Sequence, residues 1–246
     1  MSLLEVRDVT VRFGGLTALS EVSVAVEPGT VHGIIGPNGA GKTTLFNVVC
    51  GFTRPASGSL LVRGVELRDH RPHHLARLGI ARTLQGLGLF AHSSVLDNVL
   101  VGADRHASMG VWGSLIGRGE EAALRARAMA ELESLGVAEW ASALPGALPY
   151  GLRKRVALAR ALVAEPDLLM LDEPAAGLSE VEREELVALI RGLPMAVVLV
   201  EHHMDLVMSV CDRITVLNFG RVIATGSPEA VRADPDVAEA YLGAAS

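Results

Sequence analysis

The chain has 246 residues, 50% of them hydrophobic and 4% aromatic, with a formal net charge of −6. That length suits one large α/β domain or a core with a subdomain, and the acidic balance argues against a general nucleic-acid footprint. No apolar run approaches the length needed to span a bilayer and the start MSLLEVRDVTVRF has no basic, apolar leader, so a soluble, cytoplasmic protein is expected. Val9, Val11 and Phe13 alternate, as do Val22, Val24 and Val26, which predicts two strands of a half-buried antiparallel layer. VHGIIG, residues 31–36, is a continuous apolar run ending in glycine, the pattern of a buried central strand, and a helix follows from Gly41. The turn RPASGS leads to a short strand, LLV, and HHLARLG suggests another helix. Residues 102–119 are glycine-rich and read as a loop or insertion, whereas EEAALRARAMAELESLG is an amphipathic helix ending at Gly136. Beyond it LLMLD, a helix from Glu180, AVVLVE, a further helix and RITVLNFG alternate strand with helix. That rhythm implies a mostly parallel sheet covered on both faces. Cys50 and Cys211 lie in apolar surroundings and read as buried structural thiols.

Two motifs carry chemistry. Residues 36–44, GPNGAGKTT, match the phosphate-loop pattern in full, between a buried strand and a helix. Gly36, Pro37, Asn38, Gly39, Ala40 and Gly41 form a loop whose backbone N–H groups converge on phosphate oxygens, helped by the helix dipole. Lys42 would reach the β- and γ-phosphates, and Thr43, followed by Thr44, would ligate Mg²⁺. In LLMLDEP, residues 168–174, two carboxylates follow a buried run and should sit beside that loop at the strand's C-terminal edge. Asp172 would hold the metal, directly or through water, and Glu173 would orient or deprotonate the attacking water. A third stretch poses a puzzle. In ALPYGLRKRVALARAL, Arg153, Lys154 and Arg155 crowd the first turn of a helix, where cations are unfavourable unless an anion is near.

With these motifs, Gln85, His202 and the ALPYG helix start, the chain resembles an ABC transporter ATP-binding subunit over its whole length. It is most similar to the branched-chain amino-acid (Liv-type) importer ATPases in VRFGGLTALSEVS, GIARTLQGLGLF, DEPAAGLSEVE, EHHMDLVMSVCDRITVLNFG and PDVAEAYLG. The resemblance implies an α/β fold: a P-loop NTPase core, mostly parallel sheet with helices on both faces plus an N-terminal antiparallel β layer, with an inserted α-helical subdomain. It implies a core over 1–88 and 160–246 and a helical signature subdomain over 89–159, together one ATPase domain. Phe13, which as a bare residue reads as core, matches the aromatic that stacks on adenine. Gln85 matches the loop glutamine that senses the γ-phosphate through Mg²⁺ and water, and so would be both catalytic and a metal ligand. His202 matches the switch histidine; by residue type alone, EHHMD reads as a helix-capping cluster. Ser179 stands where most ABC proteins carry aspartate, a non-Asp there being similar to the Liv type, and His203 stands where the subfamily usually shows aspartate and reads as surface variation.

Leu148, Pro149, Tyr150, Gly151 and Leu152 match the signature that serves nucleotide held by a second subunit, so the resemblance makes ATP in trans the missing anion. Family members usually read L-S-Y-G-Q there; Pro149 and Leu152 remove polar groups. The expectation is one good and one poor site in a pair of different cassettes, although Gly151 and the helix dipole alone remain an alternative. The implied cofactors are ATP and Mg²⁺. The implied partners are a second ABC ATPase subunit of a different chain, integral membrane permease subunits and, indirectly, a solute-binding protein, with no nucleic acid. Leu87, Leu89 and Phe90 are either a groove for those permeases or buried core. The implied location is cytoplasmic, peripheral on the inner face of the membrane. A soluble, non-transport ABC ATPase and an importer for urea, amides or other small solutes are the alternatives.

Overall fold

The computed structural model describes residues 2–83, 86–106 and 118–242. Ten strands form two sheets among these residues. In the smaller sheet, β1 (Leu4–Phe13) pairs antiparallel with β2 (Leu16–Val26) across the two-residue turn Gly14–Gly15. On its other edge β1 pairs with β4 (Ser57–Val62), which in turn pairs with β5 (Val65–Glu66). The predicted antiparallel layer is therefore present, and its valines point inward at alternate positions.

The larger sheet has the order β10 (Arg221–Gly226), β9 (Arg213–Asn218), β3 (Val31–Ile35), β8 (Ala196–Val200), β7 (Leu168–Asp172), β6 (Ile80–Arg82). Every pair is parallel except β9 with β10. β3, β7 and β8 are buried at every position, which is why they read as unbroken apolar runs. Their two faces feed different cores. Leu168, Met170 and Val198 join the antiparallel sheet and the inner face of α1 (Lys42–Val49), whereas Leu169, Leu171 and Leu199 join the cluster built with the remaining helices. That second cluster takes in α2 (Val95–Leu100), α3 (Arg118–Ser134), α4 (Tyr150–Leu162), α5 (Glu180–Arg191) and α6 (Met204–Val210), so α4 and the sheet share one core. Two short helices, α7 (Pro228–Arg232) and α8 (Pro235–Leu242), close the chain against β9 and β10.

Two expectations change. HHLARLG is not an α-helix but a pair of 3₁₀ turns, Pro72–His74 and Ala76–Leu78. The stretch lies between a proline and Gly79, whose φ of 74° ends it, so it is too short to repay helix nucleation. Within 102–119, residues up to His106 are 3₁₀-helical and α3 begins at Arg118; the rest of that expected loop lies outside the described residues. Cys50 and Cys211 are buried and free, as expected, and burial pushes their thiols up to about 11 and about 12.

Candidate functional site

The strand register brings the motifs together. Ile34 in β3 and Asp172 in β7 both pair with Val200 of the intervening β8. The loops that follow these three residues therefore leave the sheet side by side: 36–41, 173–179 and 201–203. This is the carboxyl edge of a parallel sheet, where α/β proteins bind ligands.

The first loop needs its glycines. Gly36, Gly39 and Gly41 have φ of 150°, 78° and 104°, and a β-carbon on Gly36 would lie 2.1 Å from the Leu217 carbonyl oxygen. Gly36 and Ala40 are buried, Pro37 half-buried, and Asn38 and Gly39 face solvent at the mouth. The loop enters α1 at Lys42, with Thr43 exposed and Thr44 half-buried on its first turn. Lys42 folds back across the loop, donating to the carbonyls of Gly36 at 2.6 Å and Pro37 at 2.9 Å. Burial lowers the Lys42 ammonium from its usual value, and the Glu173 carboxylate opposes that shift. Those two side chains thus share one electrostatic neighbourhood.

Asp172 is buried and accepts from Arg82 Nη2 at 2.9 Å through Oδ2. Arg82 also donates to Asn47 of α1 at 3.1 Å and stands 5.7 Å from the Phe46 and Phe52 ring centres. Oδ2 is the one Asp172 oxygen with a hydrogen bond among the described residues, which leaves the other oxygen uncommitted. A carboxylate oxygen and a hydroxyl, such as that of Thr43, are donors that a hard divalent ion accepts. The next residue, Glu173, has a φ of 49°, and its N–H donates to Val200 at 2.9 Å. A left-handed glutamate is strained by about 1–3 kcal/mol and persists only where its surroundings hold it. Lys154 of α4 is part of that hold, donating to the carbonyls of Pro174 at 2.6 Å and Glu173 at 3.4 Å.

His202 Nδ1 lies 3.9 Å from Glu173 Oε1 and its ring is half exposed, which places it over the same opening. The structure thus brings Lys42, Glu173 and His202 together, with Asp172 preceding Glu173 at the strand end and Thr43 following Lys42 on the first turn of α1. Gln85 lies outside the described residues, which resume at Gly86. Phe13 ends β1 and is 54% exposed, which corrects its bare-residue reading as core and leaves a ring face open.

EHHMD is not a helix cap. His203, at the N-cap of α6, makes no side-chain capping bond. Glu201 is fully buried instead, and its carboxylate gathers four donors: Ala175 N–H at 2.7 Å, His202 N–H at 3.0 Å, His203 N–H at 3.3 Å and His203 Nδ1 at 3.0 Å. Burial alone would raise this carboxyl, but those bonds outweigh it and hold the group below its ordinary value. Glu201, His202 and His203 have ligand-type atoms within 4.8 Å of one another, yet the Glu201 oxygens are already committed to N–H donors.

A family model described as ABC transporter matches residues 19–176 of this chain. The chain belongs to the ABC transporter family. A second model, the branched-chain amino acid ATP-binding cassette transporter, matches residues 221–246. The chain is 42% identical to the high-affinity branched-chain amino acid transport ATP-binding protein BraF of Pseudomonas aeruginosa, covering 99% of this chain and 98% of that one. It is 41% identical to LivG of Escherichia coli, of the same description, over 99% and 98% of the two chains. A nucleotide-free ATP-binding cassette from an ABC transporter superposes with a TM-score of 0.86 at 29% identity, covering 98% of this chain and 99% of the other. This ABC protein is accordingly a nucleotide-binding ATPase subunit of a transporter with the expected P-loop α/β fold, and no helix among its described residues is long and apolar enough to cross a membrane.

At residues 148–152, Pro149 is the N-cap of α4 and supplies no side-chain bond, although its carbonyl accepts from Arg153 N–H at 3.0 Å. Leu148 is buried, Leu152 packs on the core, and Tyr150 lies against Gly177. The crowded cations have partners within this chain. Lys154 holds the Glu173 loop, Arg155 pairs with Glu185, and Arg153 stands 5.6 Å from the Tyr150 ring centre. A β-carbon on Gly151 would lie 2.1 Å from Glu182 Oε1, so an in-chain carboxylate already faces this helix start. Glu182 belongs to the capping box that Ser179 forms at the start of α5, which is the work Ser179 does here. Leu87 and Leu89 are half-buried and Phe90 is 52% exposed, so this segment is neither wholly core nor wholly surface. Arg160 of α4 holds it by donating to Leu87 and Gly88 carbonyls at 2.9 Å and 2.6 Å.

Sequence reasoning missed Arg82, Glu201 and Arg160. Each is a charged residue at the end of or beside an apolar run, a signal in principle, but Arg82 meets Asp172 90 residues on, Glu201 meets Ala175 26 residues back and Arg160 meets Leu87 and Gly88 more than 70 residues back.

Proposed function

We propose that this protein powers the uptake of branched-chain amino acids, hydrolysing ATP in a head-to-tail pair with a second, different cassette. The observation that carries the hydrolytic reading is the convergence of Lys42, Asp172, Glu173 and His202 at one sheet edge. The cargo reading rests on the likeness to BraF and LivG.

In this reading the loop from Gly36 to Gly41 wraps the phosphates, Lys42 leaves its carbonyl partners for the β- and γ-oxygens, and Phe13 stacks on adenine. Thr43 and Asp172 would hold Mg²⁺, with Gln85 as a further ligand and Thr44 on the nucleotide. Mg²⁺, when bound there, would neutralise phosphate charge. Glu173 orients a water and draws its proton as the water oxygen attacks the γ-phosphorus, while the bond to the β-phosphate oxygen breaks and ADP leaves. His202 steadies the water and the γ-phosphate. Leu148–Leu152 serve the partner's nucleotide, weakly, because Pro149 and Leu152 supply no side-chain donors. The helical signature subdomain, 89–159, moves against the core, 1–88 and 160–246, and passes the motion through the segment at Leu87–Phe90 to permease subunits. The protein then sits on the cytoplasmic face of the membrane, and a solute-binding protein acts on the far side.

The test is uptake of labelled leucine into vesicles holding the permease subunits, both cassettes and the binding protein. ATP-dependent uptake that stops with Glu173→Gln supports the proposal. Uptake of urea or amides but not leucine overturns the cargo, and leucine uptake indifferent to Glu173→Gln overturns the assignment of the motor.

A further inference from the structure

Glu201 is fully buried and charged, a costly arrangement that survives only when every oxygen is well used. Its two oxygens are used differently. Oε1 accepts from Ala175 N–H, two residues after Glu173, whereas Oε2 accepts from His202 N–H, His203 N–H and His203 Nδ1. One carboxylate therefore fastens the loop after β7 to the turn after β8. These are the two segments that carry Glu173 and His202.

We propose that Glu201 is a positioning residue for ATP hydrolysis, locking the strained Glu173 backbone and the His202 turn into one register through Ala175, His202 and His203. The proposal rests on the reading of Glu173 and His202 as the hydrolytic pair. The left-handed Glu173 has three anchors besides Lys154: its own N–H on Val200, the Ala175 N–H on Glu201, and the local turn in which its carbonyl accepts from Ala176 N–H at 3.2 Å. Without the second, the loop can relax towards ordinary backbone geometry and carry its carboxylate away from the water it must orient. His202 Nδ1 stands 3.9 Å from both Glu173 Oε1 and Glu201 Oε2, beyond hydrogen-bond reach, so Glu201 acts on His202 through its backbone N–H at 3.0 Å. His203 adds a side-chain donor to Oε2, which strengthens the turn's end of the bridge.

Glu201→Gln tests the bridge because it preserves size while replacing one oxygen by NH₂. That group must face either the Ala175 N–H or the three donors of the turn, so one end of the bridge is lost whichever way the amide points. Steady-state ATPase of the assembled transporter is measured alongside MgATP binding and thermal stability. Glu201→Gln should lower kcat by at least about tenfold while KM for ATP moves less than about twofold, the pattern of a lost transition-state geometry. In a His202→Ala background the same change should cost less than about threefold, because residues acting as a unit are not additive. Should Glu201→Gln fail to fold, Glu201→Asp keeps the charge but is one methylene short of spanning both loops, and it too should lose kcat with KM held.

Unchanged kcat in either variant, an effect fully additive with His202→Ala, or a parallel fall in ATP affinity and kcat would overturn the proposal. Glu173→Gln, measured in parallel, separates the two levels. If it binds ATP without turnover, the hydrolytic reading stands and the Glu201 result judges the bridge alone. If it turns over at the wild-type rate, that reading fails and the bridge with it.

Discussion

Arg82 and Asp172 supply the most demanding stability prediction. Their side chains are only 12% and 4% exposed, and they meet at 2.9 Å. Removing one member of such a pair strands the other charge, at a cost of about 3–5 kcal/mol. Arg82→Met keeps the apolar stem, so the loss comes from the charge and its bonds; the hydrogen bond to Asn47 adds roughly 0.5–1.5 kcal/mol. For a domain of this size, 1 kcal/mol corresponds to about 2–4 °C in Tm. Thermal unfolding of the nucleotide-free protein followed by circular dichroism should therefore show a fall of roughly 10 °C. The double variant Arg82→Met/Asp172→Asn should recover most of it, since replacing a buried ion pair by neutral groups is often close to neutral. A single variant within about 2 °C of wild type, or a double variant no better than the single, would refute the reasoning.

Two further expectations follow from the core and the signature. His32 is buried in β3, shares a 2.9 Å hydrogen bond with Thr215, and is pushed down to about 4, by burial first and Arg213 second. The unfolded chain then binds the extra proton between pH 6.5 and about 4, so this histidine's contribution is full above pH 6.5 and is lost as pH falls through that window. At about 1.4 kcal/mol per pH unit the loss is on the order of 3 kcal/mol, and denaturant titrations should show a shallower slope for His32→Gln over the same window. An unchanged slope would contradict it. Separately, Pro149→Ser combined with Leu152→Gln should raise ATPase activity in the assembled transporter, because it returns polar groups to the segment proposed to serve the partner's nucleotide. No gain would mean that Gly151 and the helix dipole suffice.

What the sequence made legible was whatever it carried contiguously. GPNGAGKTT declares its loop because glycine placement, lysine and hydroxyl all lie within nine residues of a buried strand. LLMLD and AVVLVE declare strands buried on both faces. What it could not show was the register that lines up Ile34, Val200 and Asp172, since that is decided by packing between segments far apart in the chain. Arg82 escaped notice because it ends a three-residue edge strand and its carboxylate partner lies 90 residues on. Glu201 was hidden differently. Acid and histidines before a helix read as a cap, and only the fold shows the carboxylate turned back onto the Ala175 amide. The cations of α4 raised a sound question, and ATP in trans remains the proposed answer for the assembled pair. Glu182, Glu185 and the carbonyls after Asp172 are what the lone chain offers them.

In the function proposed here this chain's ATP site is sound but completed by a different cassette. The solution mass of purified Glu173→Gln protein, with and without MgATP, alone and mixed with the second cassette, decides this. Alone, the protein should bind ATP with a mass near the 25.9 kDa of one chain, and an ATP-dependent pair should form only with the partner present. A clean ATP-dependent homodimer would contradict it, because Leu148–Leu152 would then be serving nucleotide as a full signature.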